Sequence, residues 1–181
     1  MKKLGFVGFV FLVLYAFFSY QSDPLPFICK VADCRENKHV KMRIPDGIFE
    51  KTIELYWPIA YKNRISLIPG DVVFIEADET DTGLVNFKLV EEVVNPEKTI
   101  EFSFTQIDNQ IDMVLDVKNP FPKNIKYHLK TMDFKGNIDK VSSCPVKANS
   151  TVSKQWDYVV LDLILTDMHF LEPNDAMTCV Y

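Results

Sequence analysis

The chain has 181 residues, of which 48% are hydrophobic and 13% aromatic, so it is long enough for one well-packed domain and too short for two large ones. Its formal net charge of -5 disfavours a general nucleic-acid binder, because such proteins carry a basic surface. We therefore expect a single domain with a solvated surface and without a nucleic-acid partner.

The N-terminus reads as a targeting or anchoring segment. Lys2 and Lys3 precede residues 4–20, which carry no charge. As a helix this stretch would span roughly 25 Å, slightly less than a ~30 Å hydrocarbon core, so its length fits both a cleaved signal and a retained anchor. No clear small-residue cleavage box follows it. We predict that residues 1–22 are a signal peptide or an uncleaved membrane anchor.

A retained anchor would keep the two lysines inside the cytoplasm and place the rest of the chain outside it. We therefore expect residues 23–181 to form one exported domain, periplasmic or anchored to the inner membrane and facing the periplasm. In the anchored case, the domain would contact the membrane through residues 4–20.

The cysteine content agrees with export, because all four cysteines follow the apolar segment, at Cys29, Cys34, Cys144 and Cys179. An even number of cysteines in an exported chain favours disulfides, and the spacing does not fit a zinc site. Three pairings are possible. Cys29 and Cys34 are close in sequence and can pair early, which leaves Cys144 for Cys179. We predict these two disulfides and no metal site.

The first half of the domain contains one ambiguous segment and one hairpin. Residues 46–58 are compatible with a short helix or a strand, and Pro58 would end either. Residues 69–93 favour a hairpin that turns between Asp81 and Gly83. The acidic residues near that turn lack the spacing of a calcium loop, so we expect a solvated hairpin tip.

The second half shows the alternation of half-buried strands. Apolar and polar residues alternate over residues 100–105 and 111–117, with Asp108 and Asn109 suited to the turn between them. A third run covers residues 125–130, and Gly136-Asn137 favours a turn after it. The last run, residues 155–170, is compatible with one strand that has four aliphatic residues on one face: Val159, Leu161, Leu163 and Leu165. A helix is the competing interpretation, and the β-branched and aromatic content favours the strand. We expect six to nine strands in total.

An Asn-Pro-Phe-Pro sequence, residues 119–122, separates the run over residues 111–117 from the run over residues 125–130. Proline cannot donate to a strand ladder, so the interruption marks a strand end or an edge. Residues 92–104 repeat the pattern V-x-N-P of residues 116–129, which favours an architectural corner. The other interpretation is a loop that displays Phe121, together with Lys123, to a binding partner.

The segments "DVKNPFPKNIKYHL", "SSCPV" and "LILTDMHF", within residues 102–170, resemble small uncharacterised bacterial exported proteins with an immunoglobulin-like β-sandwich. The V-x-N-P corner is also similar to that of LEA-2-type sandwich domains. Many short strands separated by turn signals predict an all-β fold, an antiparallel β-sandwich preceded by the N-terminal apolar export or anchor helix. The resemblance implies that this sandwich is immunoglobulin-like. It supplies no catalytic residue.

No motif for catalysis is evident, because the three histidines (His39, His128 and His169) are scattered and no hydrolase or P-loop signature occurs. We expect neither an enzyme nor a cofactor.

Charge is uneven along the sequence: residues 71–117 have twelve Asp and Glu against two Lys, whereas residues 118–154 have eight Lys against two Asp. We expect these two blocks to occupy different surfaces and to steer association, or alternatively only to protect edge strands from aggregation.

Two functions fit these features. The first is a non-enzymatic cell-envelope module, periplasmic or membrane-tethered, that binds another envelope protein or has a structural role. The second is a small exported inhibitor or immunity-type protein that blocks a hydrolase.

Overall fold

The computed structural model describes residues 25–81, 83–172, 174 and 176–179. Residues 1–22, predicted as a signal peptide or anchor, lie outside the described residues. A single helical turn, α1 (Leu25–Ile28), precedes the strands. The strands of the described chain are β1 (Arg35–Ile44), β2 (Gly47–Tyr56), β3 (Ala60–Tyr61), β4 (Arg64–Leu67), β5 (Asp71–Thr80), β6 (Gly83–Val90), β7 (Thr99–Gln106), β8 (Met113–Asn119), β9 (Ile125–Met132), β10 (Ile138–Val141), β11 (Ser150–Trp156) and β12 (Asp162–Phe170).

These strands form three antiparallel sheets, which confirms the all-β expectation. β1 and β2 make a two-stranded hairpin, hereafter the hairpin. Sheet 1 has the order β10-β9-β12-β4-β3, and sheet 2 has the order β11-β8-β7-β5-β6. The twelve strands of the described chain exceed the expected six to nine, because short pairings such as β3 with β4 have too few residues to show a pattern.

The main core lies between the two five-stranded sheets. Strand alternation directs every second residue inward, as in β7, where Phe102 and Phe104 are buried and Glu101 and Ser103 are not. The buried cluster combines residues of sheet 2 with residues of sheet 1, among them Tyr127, Leu129, Leu163 and Leu165. Full burial of each such aliphatic or aromatic side chain contributes about 1.5–3 kcal/mol, so this shared core holds the sheets together.

The hairpin packs on the outer side of sheet 1 and forms a second, smaller core. Its inward residues Val40, Met42 and Tyr56 are buried with Ile68, which follows β4. Segment 46–58, which the sequence left open between helix and strand, is therefore largely strand β2. The pairing of β2 with β1 and the burial of its inward face decide between the two structures.

The prediction of one strand over residues 155–170 is wrong. Trp156 ends β11 in sheet 2, and the chain crosses to sheet 1 before β12 begins at Asp162. Val159 and Leu161 pack with the hairpin, whereas Leu163 and Leu165 lie in the main core. Val159, Val160 and Leu161 of the crossing segment are buried or half-buried, so the aliphatic composition continues from the crossing into β12 and does not mark the start of the strand.

The predicted hairpins of the remaining chain are confirmed. β5 and β6 pair antiparallel around the turn at Asp81, with Thr80 opposite Gly83. β7 and β8 are joined by a turn in which Asn109 has a φ of 62°, a left-handed conformation that asparagine tolerates. Gly136, with a φ of 82°, forms the turn that leads into β10.

Candidate functional site

The Asn-Pro-Phe-Pro segment is a buried corner, and the interpretation that it displays Phe121 is corrected by the structure. Phe121 is 2% exposed, and its ring meets the ring of Phe170 edge to face with centroids 5.4 Å apart. Phe170 is the last residue of β12, so the end of that strand covers the corner. The Phe121 side chain is therefore part of the main core and is not accessible to a partner.

Asn119 holds this corner in place and is itself 1% exposed. Its side-chain oxygen accepts the backbone N–H of Phe121 at 2.9 Å, an Asx-type turn. Its side-chain nitrogen donates to the carbonyls of Lys123 at 2.8 Å and Lys147 at 3.0 Å. A buried amide with these partners fixes the backbone between β8 and β9.

Lys123, the second residue expected at a partner contact, remains on the surface. Its ammonium group forms an ion pair with Glu79 and lies 4.8 Å from the centroid of the Phe170 ring. The side chain is 47% exposed, so it is accessible but already engaged by two neighbours.

The two disulfides have the pairing that the sequence favoured. Cys29 is bonded to Cys34, and Cys144 is bonded to Cys179. Buried Lys126 reinforces the second bridge, because its ammonium donates to the carbonyl of Ser143 and, at 3.2 Å, to that of Thr178. Burial lowers the pKa of Lys126. The disulfide and the lysine together hold the C-terminal residues against β9.

A group of six polar residues, which we term the polar anchor, lies where the hairpin meets the two sheets; all except the partly exposed Lys38 have largely buried side chains: Arg35, Lys38, Tyr56, Ser66, Asp71 and Asp162. Arg35 donates to Asp71 at 2.7 Å and to the Ser66 hydroxyl at 2.8 Å. Lys38 donates to the other oxygen of Asp71 at 2.9 Å. The hairpin thus contributes two cations to a carboxylate of sheet 2.

The second half of the polar anchor centres on Asp162, which is fully buried. The hydroxyl groups of Tyr56 and Ser66 each donate to Asp162 at 2.9 Å. Burial raises the pKa of Asp162 to about 6, opposed by these hydrogen bonds and by the charges of Arg35 and Arg64. Burial also raises the pKa of Tyr56 and lowers that of Arg35.

The polar anchor is suited to holding the hairpin and not to chemistry on a ligand. Asp71 and Asp162 are 4% and 0% exposed, so their carboxylates are closed to a substrate. The anchor contains no histidine or cysteine that would serve as a base or nucleophile. Sequence reasoning missed all six residues, because Tyr56 and Asp162 are 106 positions apart and share no local pattern.

The outer face of sheet 2, which we call the open face, contrasts with the covered face of sheet 1. The outward side chains of β5, β8 and β11, and those of β7 from Glu101 onward, are exposed or half-buried, whereas Thr99 at the start of β7 is buried. Val72 is 60% exposed, and Phe74 follows it on the same face of β5. Cross-strand pairing places Val90 beside Phe74 on one side and Glu101 on the other.

On β5 and β6 the open face is apolar at Val72, Phe74 and Val90 and charged at the cross-strand neighbours Glu76 and Lys88, and it is polar on the β8 and β11 side. In the strand pairing, the residues in register with Val72 on β7, β8 and β11 are Ser103, Asp116 and Ser153. Lys118 of the same polar half forms an ion pair with Glu101. An exposed apolar area with a polar border is the usual composition of a protein-binding surface.

The two charge blocks are not separated as the sequence led us to expect. The acidic block forms β5 to β8 of sheet 2, but the basic block divides between sheet 1 and β11 of sheet 2. Lys118 and Lys123 of the basic block pair with Glu101 and Glu79 of the acidic block. Part of the sequence asymmetry is thus neutralised where the blocks meet.

A second surface feature is a cleft of about 330 Å³ at the edge where β3 and β6 approach each other. Ala60 of sheet 1 and the preceding Ile59 line it on one side, and Phe87 and Leu89 line it from sheet 2. Residues 31–33, in the loop closed by the Cys29–Cys34 disulfide, complete the rim. The cleft is open to solvent and lies beside the beginning of the described chain.

Among the described residues, we find neither a helix of the length and apolarity needed to cross a membrane nor a group of three or more potential metal ligands. Comparison of the chain with protein-family models, with curated proteins and with solved structures found no match. The resemblance to exported immunoglobulin-like proteins therefore depends on the motifs of residues 102–170 alone.

Proposed function

We propose that the chain is a non-enzymatic cell-envelope module with an immunoglobulin-like β-sandwich, exported by residues 1–22 and retained at the membrane by them, and that it binds another envelope protein through the open face. The observation that carries the proposal is the difference between the two outer sheet faces. The hairpin and the polar anchor cover one face, whereas the other leaves Val72 60% exposed.

The composition of the open face indicates the chemistry of the partner. Its apolar half, Val72 and Phe74 with Val90, fits a small apolar projection. Its polar half carries the carboxylates of Glu101 and Asp116 against the single ammonium of Lys118. A partner with apolar residues flanked by basic or hydroxyl side chains would complement both halves.

Export agrees with the two disulfides, since such bonds persist in oxidising compartments. The closed polar anchor supports a binding role over catalysis, because its carboxylates are shielded from any substrate. The proposed module thus acts through its surface.

The test is partner capture by cross-linking in the intact cell envelope, comparing the full chain with Val72→Arg. We expect Val72→Arg to lose the captured partner by roughly tenfold or more, the effect of about 1.4 kcal/mol in binding. Ile138→Arg is the matched control, because Ile138 is a β-strand residue of sheet 1 with a similar exposure of 54%. Equal capture by both variants would reject the open face as the binding surface.

The identity of the captured protein separates the two functions inferred from the sequence. A resident membrane protein supports the envelope module. A hydrolase whose activity falls when the chain is added, and recovers with Val72→Arg, would instead support an inhibitor.

A further inference from the structure

The surface next to the start of the described chain has the composition of a lipid-contacting surface. Three apolar side chains there are exposed: Phe27 at 50%, Val31 at 63% and Leu89 at 43%. Three exposed lysines accompany them, Lys30 beside Val31 in sequence and Lys62 and Lys88 at the rim of the edge cleft. We call these six residues the edge patch.

The position of the edge patch in the sequence limits its distance from any membrane that holds residues 4–20. The four residues 21–24 connect that apolar stretch to α1 at Leu25. Even when fully extended, four residues reach at most roughly 14 Å. Phe27 and Val31 are the third and seventh residues of the described chain, so they stay close to the surface of a bilayer that holds residues 4–20.

The side-chain types of the edge patch suit the interface between lipid and water. Aromatic and aliphatic side chains enter the boundary between headgroups and acyl chains, while lysine extends its charge to anionic headgroups. The Lys62 ammonium lies 5.2 Å from the ring centroid of Tyr61, which places an aromatic ring and a cation together at the cleft. Asp33 lies among the cleft-lining residues and Glu76 is opposite Lys88 in the β5–β6 pairing, so two carboxylates oppose the three lysines and the edge patch keeps an excess of one positive charge.

We propose that the edge patch lies on the membrane surface, with Phe27 and Val31 inserted among the lipid headgroups and the three lysines facing anionic lipid. The proposal rests on the membrane tether in the proposed function; the edge patch adjoins the open face at Lys88, but it does not include Val72, Phe74 or Val90. It gives the domain a fixed side towards the bilayer instead of free rotation on a tether.

The test is quenching of an added tryptophan by brominated lipid in vesicles of phosphatidylcholine and phosphatidylglycerol that contain the full chain. Val31→Trp places the probe in the edge patch. Ile138→Trp is the matched control, because β10 and β3 are opposite edges of sheet 1 and Ile138 is 54% exposed. The emission of the native Trp57 and Trp156 is measured in the wild-type chain and subtracted.

We expect the Val31→Trp emission to fall in brominated vesicles, the Ile138→Trp emission to stay unchanged, and the loss to shrink when phosphatidylglycerol is omitted. Phe27→Trp is the second probe if Val31→Trp does not reach the wild-type circular dichroism spectrum. Emission from both edge-patch probes that is unaffected by bromine would overturn the proposal, whether the probes face water or a protein occupant of the cleft.

The outcomes also separate this proposal from the proposed function. If the chain leaves the vesicles in a high-salt wash, it has no membrane tether, and the proposed membrane contact of the edge patch is rejected with the tether. Capture of a protein partner that depends on Val72 would still support the open face as a binding surface. Loss of quenching with an intact tether rejects only the edge patch.

Discussion

Replacing Phe121 with alanine tests whether the Asn-Pro-Phe-Pro corner belongs to the core or to a binding loop. Phe121 is 2% exposed and packs edge to face with Phe170, so its removal leaves a cavity that the strands on either side cannot fill. Truncation of a buried phenylalanine costs about 3–5 kcal/mol, which includes about 0.5–1.5 kcal/mol from the aromatic pair. For a domain of this size, the melting temperature would fall by roughly 6–20 °C.

The assay is urea unfolding with both disulfides intact, followed by tryptophan emission and repeated by circular dichroism to test for two-state behaviour. Phe134→Ala is the control, because Phe134 is 39% exposed although its ring contacts that of Phe49 at 4.5 Å. We expect the control to cost less than about 1 kcal/mol. If Phe121→Ala also costs less than about 1 kcal/mol and partner capture is lost, the burial argument is refuted.

Two further predictions concern the disulfides and the polar anchor. Replacing Cys144 and Cys179 with serine should lower the free energy of unfolding by about 4 kcal/mol, and replacing Cys29 and Cys34 should lower it by about 2 kcal/mol. The difference arises because the two disulfides close loops of 35 and 5 residues. Urea unfolding of the two double variants measures both values. Burial raises the pKa of Asp162 to about 6, so Asp162 binds a proton more tightly in the folded protein than in the unfolded chain. The contribution of Asp162 to the free energy of unfolding should therefore grow by about 1–3 kcal/mol as the pH falls from 7.5 towards 4. Asp162→Asn should flatten this part of the pH profile, and a profile identical to that of the wild type would contradict the assignment.

Several elements were predictable because their signals are local. The alternation over residues 100–105 gives β7, since a strand directs successive side chains to opposite faces. Turns at Asn109 and Gly136 follow from residue types that adopt positive φ at little cost. The pairing of Cys29 with Cys34 was favoured by their closeness in sequence, which left Cys144 for Cys179.

The candidate surfaces depended on contacts that no local pattern records. The sequence showed that Phe121 follows a strand end, but only Phe170, 49 positions later, decides that its ring is buried. Likewise, aliphatic residues continue from Val159 to Leu165 with only Asp162 between them, and the crossing between the sheets decides where the strand breaks. The open face is open because the hairpin docks on sheet 1, where Tyr56 reaches Asp162 from 106 positions away. Strand alternation distinguishes the two faces of a sheet from each other, but which face is covered depends on packing between elements distant in sequence.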